Sequence, residues 1–405
     1  MPPTKAHRFP IKTRNGQIRQ MEIFVILLLA GAIFAVVVPL VLNARVQARK
    51  MSTQNNLRQL GLAFENYEAT FRVLPSGSSA SGLPKHSLYT RIRNFMESSS
   101  WYSQVNFELD WEHPLNQVLF FDPFPSYMRP GTPEKFTTTG YNLTHYMVNP
   151  HVFGVGSNIA TEDLIGGKDH NFLVGEIAGD FVPGGYPYLW RELIWPINGS
   201  SQSYGGWADG AHFCMASGAV RFLSNETEAA ALPEVVQHQS APGTHLVPTM
   251  AREFAYSSRP RFQHLRFESE TPRIHKGDWG TSIWIDRENH EAYAANLFLN
   301  AEETTASTIN LDSFIRQYGA TEVLQILTGE FDDSDAHSVS YLSKLRVLRV
   351  YDIELTDAGI TSLKNLSQLR YFSAFMTAEE AAKLASMLPK CEIQPRTDYR
   401  RDWMH

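Results

Sequence analysis

The chain has 405 residues, of which 43% are apolar, 19% charged and 12% aromatic. This composition excludes a disordered tail, and at roughly 100–200 residues per domain it excludes a single small domain. The net charge of −6 conceals an asymmetry: residues 1–58 carry nine Lys/Arg and one acid, a net +8, which leaves −14 on residues 59–405. A uniform cytosolic enzyme rarely has this distribution. The two cysteines, Cys214 and Cys391, are too few for a disulfide framework and lack metal-ligand spacing. No cofactor is expected.

The asymmetry has a local cause. Ile23 to Leu42 is a run of twenty uncharged residues, interrupted among apolar side chains only by Gly31 and Pro39. At 1.5 Å per residue it spans about 30 Å, one bilayer core. A buried soluble helix and a cleaved secretory signal are the alternatives. The run is longer than a signal's usual apolar region, and no small-x-small site follows it, so it reads as a retained anchor. Five Lys/Arg precede the span and four follow soon after. The margin for the positive-inside rule is thin; the expected placement is a single span in the inner membrane, with the N-terminus in the cytoplasm and the bulk of the chain outside.

Glu22 stands at the edge of this run. A carboxylate there is either solvated among the headgroups or held by a partner, such as the N-terminal amine of a neighbouring subunit. The helical pattern continues past Val41, and Leu57, Leu60, Phe64, Tyr67 and Phe71 recur at alternating spacings of three and four, marking one apolar face. Val73-Leu-Pro-Ser-Gly77 then stops the helix. A membrane helix running directly into an amphipathic stalk favours the partnered reading of Glu22.

This segment resembles the N-terminal helix of type IV pilins and type II secretion pseudopilins, in which a glutamate four residues into the mature chain precedes a proline by seventeen. Glu22 and Pro39 have that spacing. The resemblance implies a mature start at Ile18, after Gln17, where the family has glycine; Gly16 is one residue early. It also implies self-assembly through the helix.

In more detail, the chain resembles the planctomycete pilin-like family of domain of unknown function 1559, whose C-terminal signature is H-x9-D-G. The segments that carry the likeness, in order, are Pro39-Leu-Val-Leu-Asn-Ala-Arg-Val-Gln-Ala-Arg49, Asn55-Asn-Leu-Arg-Gln-Leu-Gly-Leu-Ala63, Leu74-Pro-Ser-Gly77, Leu164-Ile-Gly-Gly-Lys-Asp-His-Asn-Phe-Leu-Val-Gly-Glu176 and Gly210-Ala-His-Phe-Cys-Met-Ala-Ser-Gly-Ala-Val-Arg-Phe-Leu223. The signature is degenerate: its histidine falls on Trp207 and its aspartate on Ser217, while Gly218 remains. From the residues themselves, 211–216 and 219–223 read as two alternating strands joined by a tight turn at Ser217-Gly218.

Between Pro75 and Tyr204 the sequence is aromatic-rich and punctuated by proline, the texture of loops over a small sheet. Phe181-Val-Pro-Gly-Gly-Tyr-Pro-Tyr-Leu-Trp190 reads as core-filling aromatics, with a sugar-stacking surface as the alternative. After Val236 a polar, breaker-rich linker follows. Val323–Ile326, Val347–Val350 and Tyr371–Ala374 then recur every twenty-four residues, each after a helix-compatible stretch. Leu345-Arg-Val-Leu-Arg-Val350 with Leu355-Thr-Asp-Ala-Gly-Ile-Thr-Ser-Leu363 resembles the bacterial leucine-rich repeat, and Leu388-Pro-Lys-Cys-Glu-Ile393 resembles its closing strand. An ordinary α/β domain is the alternative. Thr281–Asp286 reads as a further strand supporting the array.

Asp169-His170, Asp209 with His212, and Asp332-Asp333-Ser334-Asp335 do not bring nucleophile, base and orienting group together by spacing. No catalytic or metal residue is assigned, and no nucleotide or nucleic-acid motif is present. The expected fold is α+β. In order, it comprises a basic leader (1–22), a transmembrane helix (23–42), an amphipathic stalk (43–74), a pilin-like antiparallel head (75–236), a linker (237–260), a leucine-rich-repeat-like domain (261–394) and a tail (395–405). The expected function is non-enzymatic: a membrane-anchored, single-span pilin-like subunit. The alternatives are a permanently anchored module binding a protein or glycan through its repeats, and an extracytoplasmic hydrolase.

Overall fold

A long segment, apolar in its first half and amphipathic in its second, forms helix α1, Gln20–Phe71, with Pro39 in its interior. Proline there lacks the N–H that would bond the carbonyl one turn earlier. The computed structural model describes residues 20–77, 85–96, 99–102, 104–154, 157–227, 254–267, 281–297, 311–326 and 330–396. The chain divides into two compact units, Met1–Met51 and Ser52–His405. It is a mixed α+β protein with one long apolar helix and several sheets.

In the first unit, the large apolar side chains from Phe24 to Val46 are 40–66% exposed. This helix is long and apolar enough to cross a membrane by length and composition.

In the second unit, α1 ends at Phe71 because Arg72 turns into the left-handed region at φ 66°, with its N–H on the Glu68 carbonyl at 2.7 Å. That is a helix C-terminal turn, after which Leu74 is tied to the Ile159 carbonyl at 2.8 Å. Leu57, Leu60, Ala63 and Phe64 are buried in the core of the head, whereas Tyr67 is half-buried and Phe71 exposed. The expected apolar face therefore holds for its first two turns, and its last member lies outside the core.

The head carries the short helices α2 (Leu88–Ile92), α3 (Ser99–Tyr102) and α4 (Pro114–Gln117). Its strands are β1 (Phe136–Thr137), β2 (Leu143–Thr144), β3 (Tyr146–Val148), β4 (Phe172–Glu176), β5 (Val182–Pro183), β6 (Gly210–Met215) and β7 (Val220–Ser224). β3-β4-β6-β7 form an antiparallel sheet in that order. β6 and β7 make the hairpin read from the sequence, with Ala211 opposite Leu223 and Cys214 opposite Val220. Its turn closes through Gly218 at φ 79°, the conformation glycine adopts without penalty. Phe181, Tyr186, Tyr188 and Trp190 are buried; they fill the core and present no stacking surface.

The end of the segment read as a linker forms β8 (Tyr256–Ser257), which pairs with β1. Strands β9 (Phe262–Phe267), β10 (Thr281–Asp286) and β11 (Ala292–Leu297) are antiparallel neighbours. A parallel array then follows through β12 (Val323–Ile326), β14 (Val347–Glu354), β15 (Tyr371–Phe375) and β16 (Glu392–Arg396), with β13 (Glu330–Asp332) beside the end of β14. Val323 faces Val347, and Val347 faces Tyr371, so the twenty-four-residue spacing is the strand register itself.

Helices α5 (Leu311–Gln317), α6 (Asp333–Val339), α7 (Asp357–Leu363) and α8 (Ala378–Met387) make the crossovers that parallel strands require. Asp332, Thr356 and Thr377 cap the N-termini of α6, α7 and α8 with their side-chain oxygens. Leu324, Leu348 and Phe372 share a core with residues of these helices. Their neighbours Val323, Val347 and Tyr371, on the opposite face, belong to the core of the head.

Candidate functional site

The residues singled out from the sequence fall in three places. Gly16, Gln17 and Ile18 lie outside the described residues, and so does the side chain of Glu22, whose backbone is in α1. Pro39 lies inside α1 among exposed apolar side chains. Trp207 and Ser217 flank β6 at opposite ends, Trp207 before Gly210 and Ser217 in the hairpin turn after Met215. Ser217 is exposed there, and its N–H reaches the Lys168 carbonyl at 3.1 Å.

Trp207 has a defined task. Its indole N–H lies 2.8 and 2.9 Å from the two carboxylate oxygens of Glu176, which is fully buried at the end of β4. The His212 backbone N–H reaches the same carboxylate at 2.6 Å and its Nδ1 at 2.8 Å. Glu176 thus receives its donors from Trp207 and from the first half of the hairpin. A buried carboxylate is tolerable only when so supplied.

The far nitrogen of the imidazole continues the chain of contacts. Nε2 lies 3.2 Å from the side-chain amide of Gln54 on α1. With the Nδ1 proton directed at Glu176, Nε2 presents its lone pair to the amide N–H. The network Trp207–Glu176–His212–Gln54 therefore joins the hairpin, β4 and the stalk part of α1. In the sequence Glu176 closes one of the segments that carry the family likeness, with no partner assigned to it. The available signal was a carboxylate closing an apolar strand, which calls for compensation.

The seam between α1 and the sheet is set by close fit. Gly61 lies over Cys214, whose burial pushes its thiol pKa up to about 12. The Asn56 side-chain amide donates to the carbonyls of Pro125 at 3.2 Å and Met128 at 2.9 Å, fastening the proline-rich loop to the helix. Glu68 accepts the Thr161 N–H at 2.5 Å.

Behind the cluster, Arg129 is buried and donates to the carbonyls of Ile177 at 2.9 Å and Gly205 at 3.2 Å. Desolvation lowers its pKa from the ordinary value, opposed by the nearby Glu176 charge. His145 accepts the Arg129 N–H at Nδ1, so its Nε2–H points to the Glu134 carbonyl. Burial holds this imidazole neutral, at a pKa of about 3.

Several residues of the polar pairs make local contacts. His170 Nδ1 is 2.9 Å from the Gly166 carbonyl. Asp332 caps α6, and Asp333 accepts the Thr356 N–H at 2.9 Å, tying the start of α6 to the cap of α7. Among the described residues, no group of three or more His, Cys, Asp or Glu is placed to hold a metal ion.

A family model described as "Protein of unknown function (DUF1559)" matches residues 43–180. The match runs from within α1 to just past β4 and includes Asn56, Gly61 and Glu176, but ends before Trp207 and the hairpin. No curated protein matches the chain. A long apolar helix followed by a segment similar to this family fits either a membrane anchor or a signal sequence at the N-terminus.

Proposed function

We propose that this is a non-enzymatic, membrane-anchored pilin-like protein, with its head and repeat array outside the cytoplasm and its N-terminus inside. The observation that carries the reading is the apolar stretch of α1, whose large side chains from Phe24 to Val46 stand 40–66% exposed. An exposed apolar surface of this size needs a lipid or protein environment. The Glu22/Pro39 spacing and the family match over residues 43–180 support the pilin-like assignment. In this mechanism the helix first holds the subunit in the inner membrane. It then packs against the helices of other copies, with Glu22 neutralising a neighbour's N-terminal amine. Recovery of wild type and Glu22→Ala in sheared surface fibres tests this; equal recovery removes the assembly role.

A second reading is favoured by Gln17 standing where the family has glycine: the leader stays and the anchor is permanent. The parallel array, read as leucine-rich-repeat-like, would then serve a protein or glycan partner. The mature N-terminus by mass spectrometry separates the two. A start at Ile18 favours assembly, and an intact leader favours the permanent anchor.

A further inference from the structure

Just past its apolar run, α1 changes character. Residues 43–64 hold four Lys/Arg (Arg45, Arg49, Lys50 and Arg58) and no Asp or Glu, in a chain whose residues 59–405 carry −14. Arg45 and Arg49 are one helical turn apart, hence on one face of α1. Both are exposed, and Lys50 is half-buried. No carboxylate lies within four positions of any of these three, so α1 itself offers them no ion-pair partner.

Their level on the helix suits phospholipid phosphates. With the hydrocarbon core over Ile23–Leu42, Arg45, Arg49 and Lys50 stand about 4.5, 10.5 and 12 Å beyond Leu42 along the axis, at 1.5 Å per residue. The headgroup layer extends about 5–8 Å past the core on each side. Side chains on an α-helix lean toward its N-terminus, which for these residues is toward the span. Arg45 therefore falls within the headgroup layer, and the long stems of Arg49 and Lys50 reach back to it.

The charge pattern selects one class of lipid. A guanidinium forks onto two phosphate oxygens and an ammonium adds a point charge. A zwitterionic headgroup brings its own cation to the phosphate, whereas an anionic one leaves a net negative surface that attracts Lys/Arg within a Debye length, about 8 Å at physiological salt. In the proposed orientation these cations lie on the side that the positive-inside rule leaves poor in them, so topology does not account for them.

We propose that Arg45, Arg49 and Lys50 form a collar that binds the headgroups of anionic phospholipids at the surface where the span ends. The collar fixes the depth of α1 in the bilayer and gathers lipid of one charge class around it. This inference rests on the reading of α1 as a membrane anchor.

Two measurements on the full-length chain keep the collar and the anchor apart. Flotation with vesicles of dioleoylphosphatidylcholine alone tests the anchor. Native mass spectrometry of the chain in neutral detergent, with dioleoylphosphatidylglycerol and dioleoylphosphatidylcholine in equal amounts, tests the collar. Wild type should float, and should carry phosphatidylglycerol over phosphatidylcholine by at least about fivefold. The triple variant Arg45→Gln, Arg49→Gln, Lys50→Gln should float equally, with the preference reduced to within about twofold of parity. Arg58→Gln, sixteen residues past Leu42, should keep the wild-type preference. Flotation of wild type without a preference, a preference that survives the triple substitution, or an equal loss in Arg58→Gln would overturn the collar alone. Failure of wild type to float would remove the anchor, and the collar with it.

Discussion

Gly61 on α1 faces Cys214 on β6 so closely that a Cβ on Gly61 would stand 2.6 Å from the Cys214 sulfur. Glycine in a helix interior is disfavoured by about 0.5–1 kcal/mol relative to alanine, so its presence marks the closest approach of helix and sheet. Gly61→Ala should therefore destabilise the protein despite the better helix propensity, because overpacking costs about 1–3 kcal/mol. In a Cys214→Ala background the same change should be neutral or stabilising. Denaturant unfolding of the four proteins in the cycle measures this; additive effects would show that the two residues do not share the space.

The two neighbouring asparagines of the stalk should respond differently. Asn56→Ala removes an amide that bonds Pro125, Met128 and the Tyr146 hydroxyl, and should cost about 1–2 kcal/mol. Asn55 is exposed, so Asn55→Ala should stay within about 0.5 kcal/mol. Matched unfolding midpoints for the two variants would contradict the docking of α1 through Asn56.

Trp207→Phe keeps an aromatic ring and removes the indole donor from the buried Glu176 carboxylate. The expected loss is about 1–3 kcal/mol, the range for depriving a buried charged acceptor of a donor. Unfolding monitored by circular dichroism gives the number. An unchanged midpoint would mean that the His212 donors alone satisfy Glu176.

Acid should weaken the head before its carboxylates are titrated. His145 and His86 are held at pKa values of about 3 and about 4, mainly by burial. In the unfolded chain histidine takes a proton near pH 6.5. Below that pH the unfolded state binds protons that the folded state refuses, so stability is intact above about pH 6.5 and falls as the pH drops toward 4. Each histidine contributes a slope approaching about 1.4 kcal/mol per pH unit in that window. Urea midpoints at pH 7.5, 6 and 5 should decline in order. A flat profile would indicate that neither imidazole is buried in solution.

Local periodicity made much of the fold legible. Leu57, Leu60 and Phe64 lie in the head's core, the turn at Ser217-Gly218 joins β6 to β7, and the recurrence every twenty-four residues is the register of β12, β14 and β15. Phe71 kept the helical period but stands beyond the core, because nothing local marks where a packed partner ends. The Glu176 cluster was hidden for another reason: its donors come from 31 and 36 residues away, and no periodicity encodes a long-range polar contact. The strand face of the array was the least legible. Asn296, Gln325, Arg349 and Ser373 are polar residues that no local pattern marks as buried, yet they are buried, and Asn296 bonds Gln104, nearly two hundred residues earlier.

On the proposed function the apolar part of α1 remains as an anchor in a bilayer. Alkaline extraction of membranes from cells expressing the full chain, beside a version lacking residues 1–42, tests it most directly. The full chain should resist extraction, sediment with the lipid and retain Phe24–Leu42 in the mature protein by mass spectrometry, while the truncated chain is released. A full-length product recovered in the soluble fraction, with its N-terminus beyond Leu42, would contradict it.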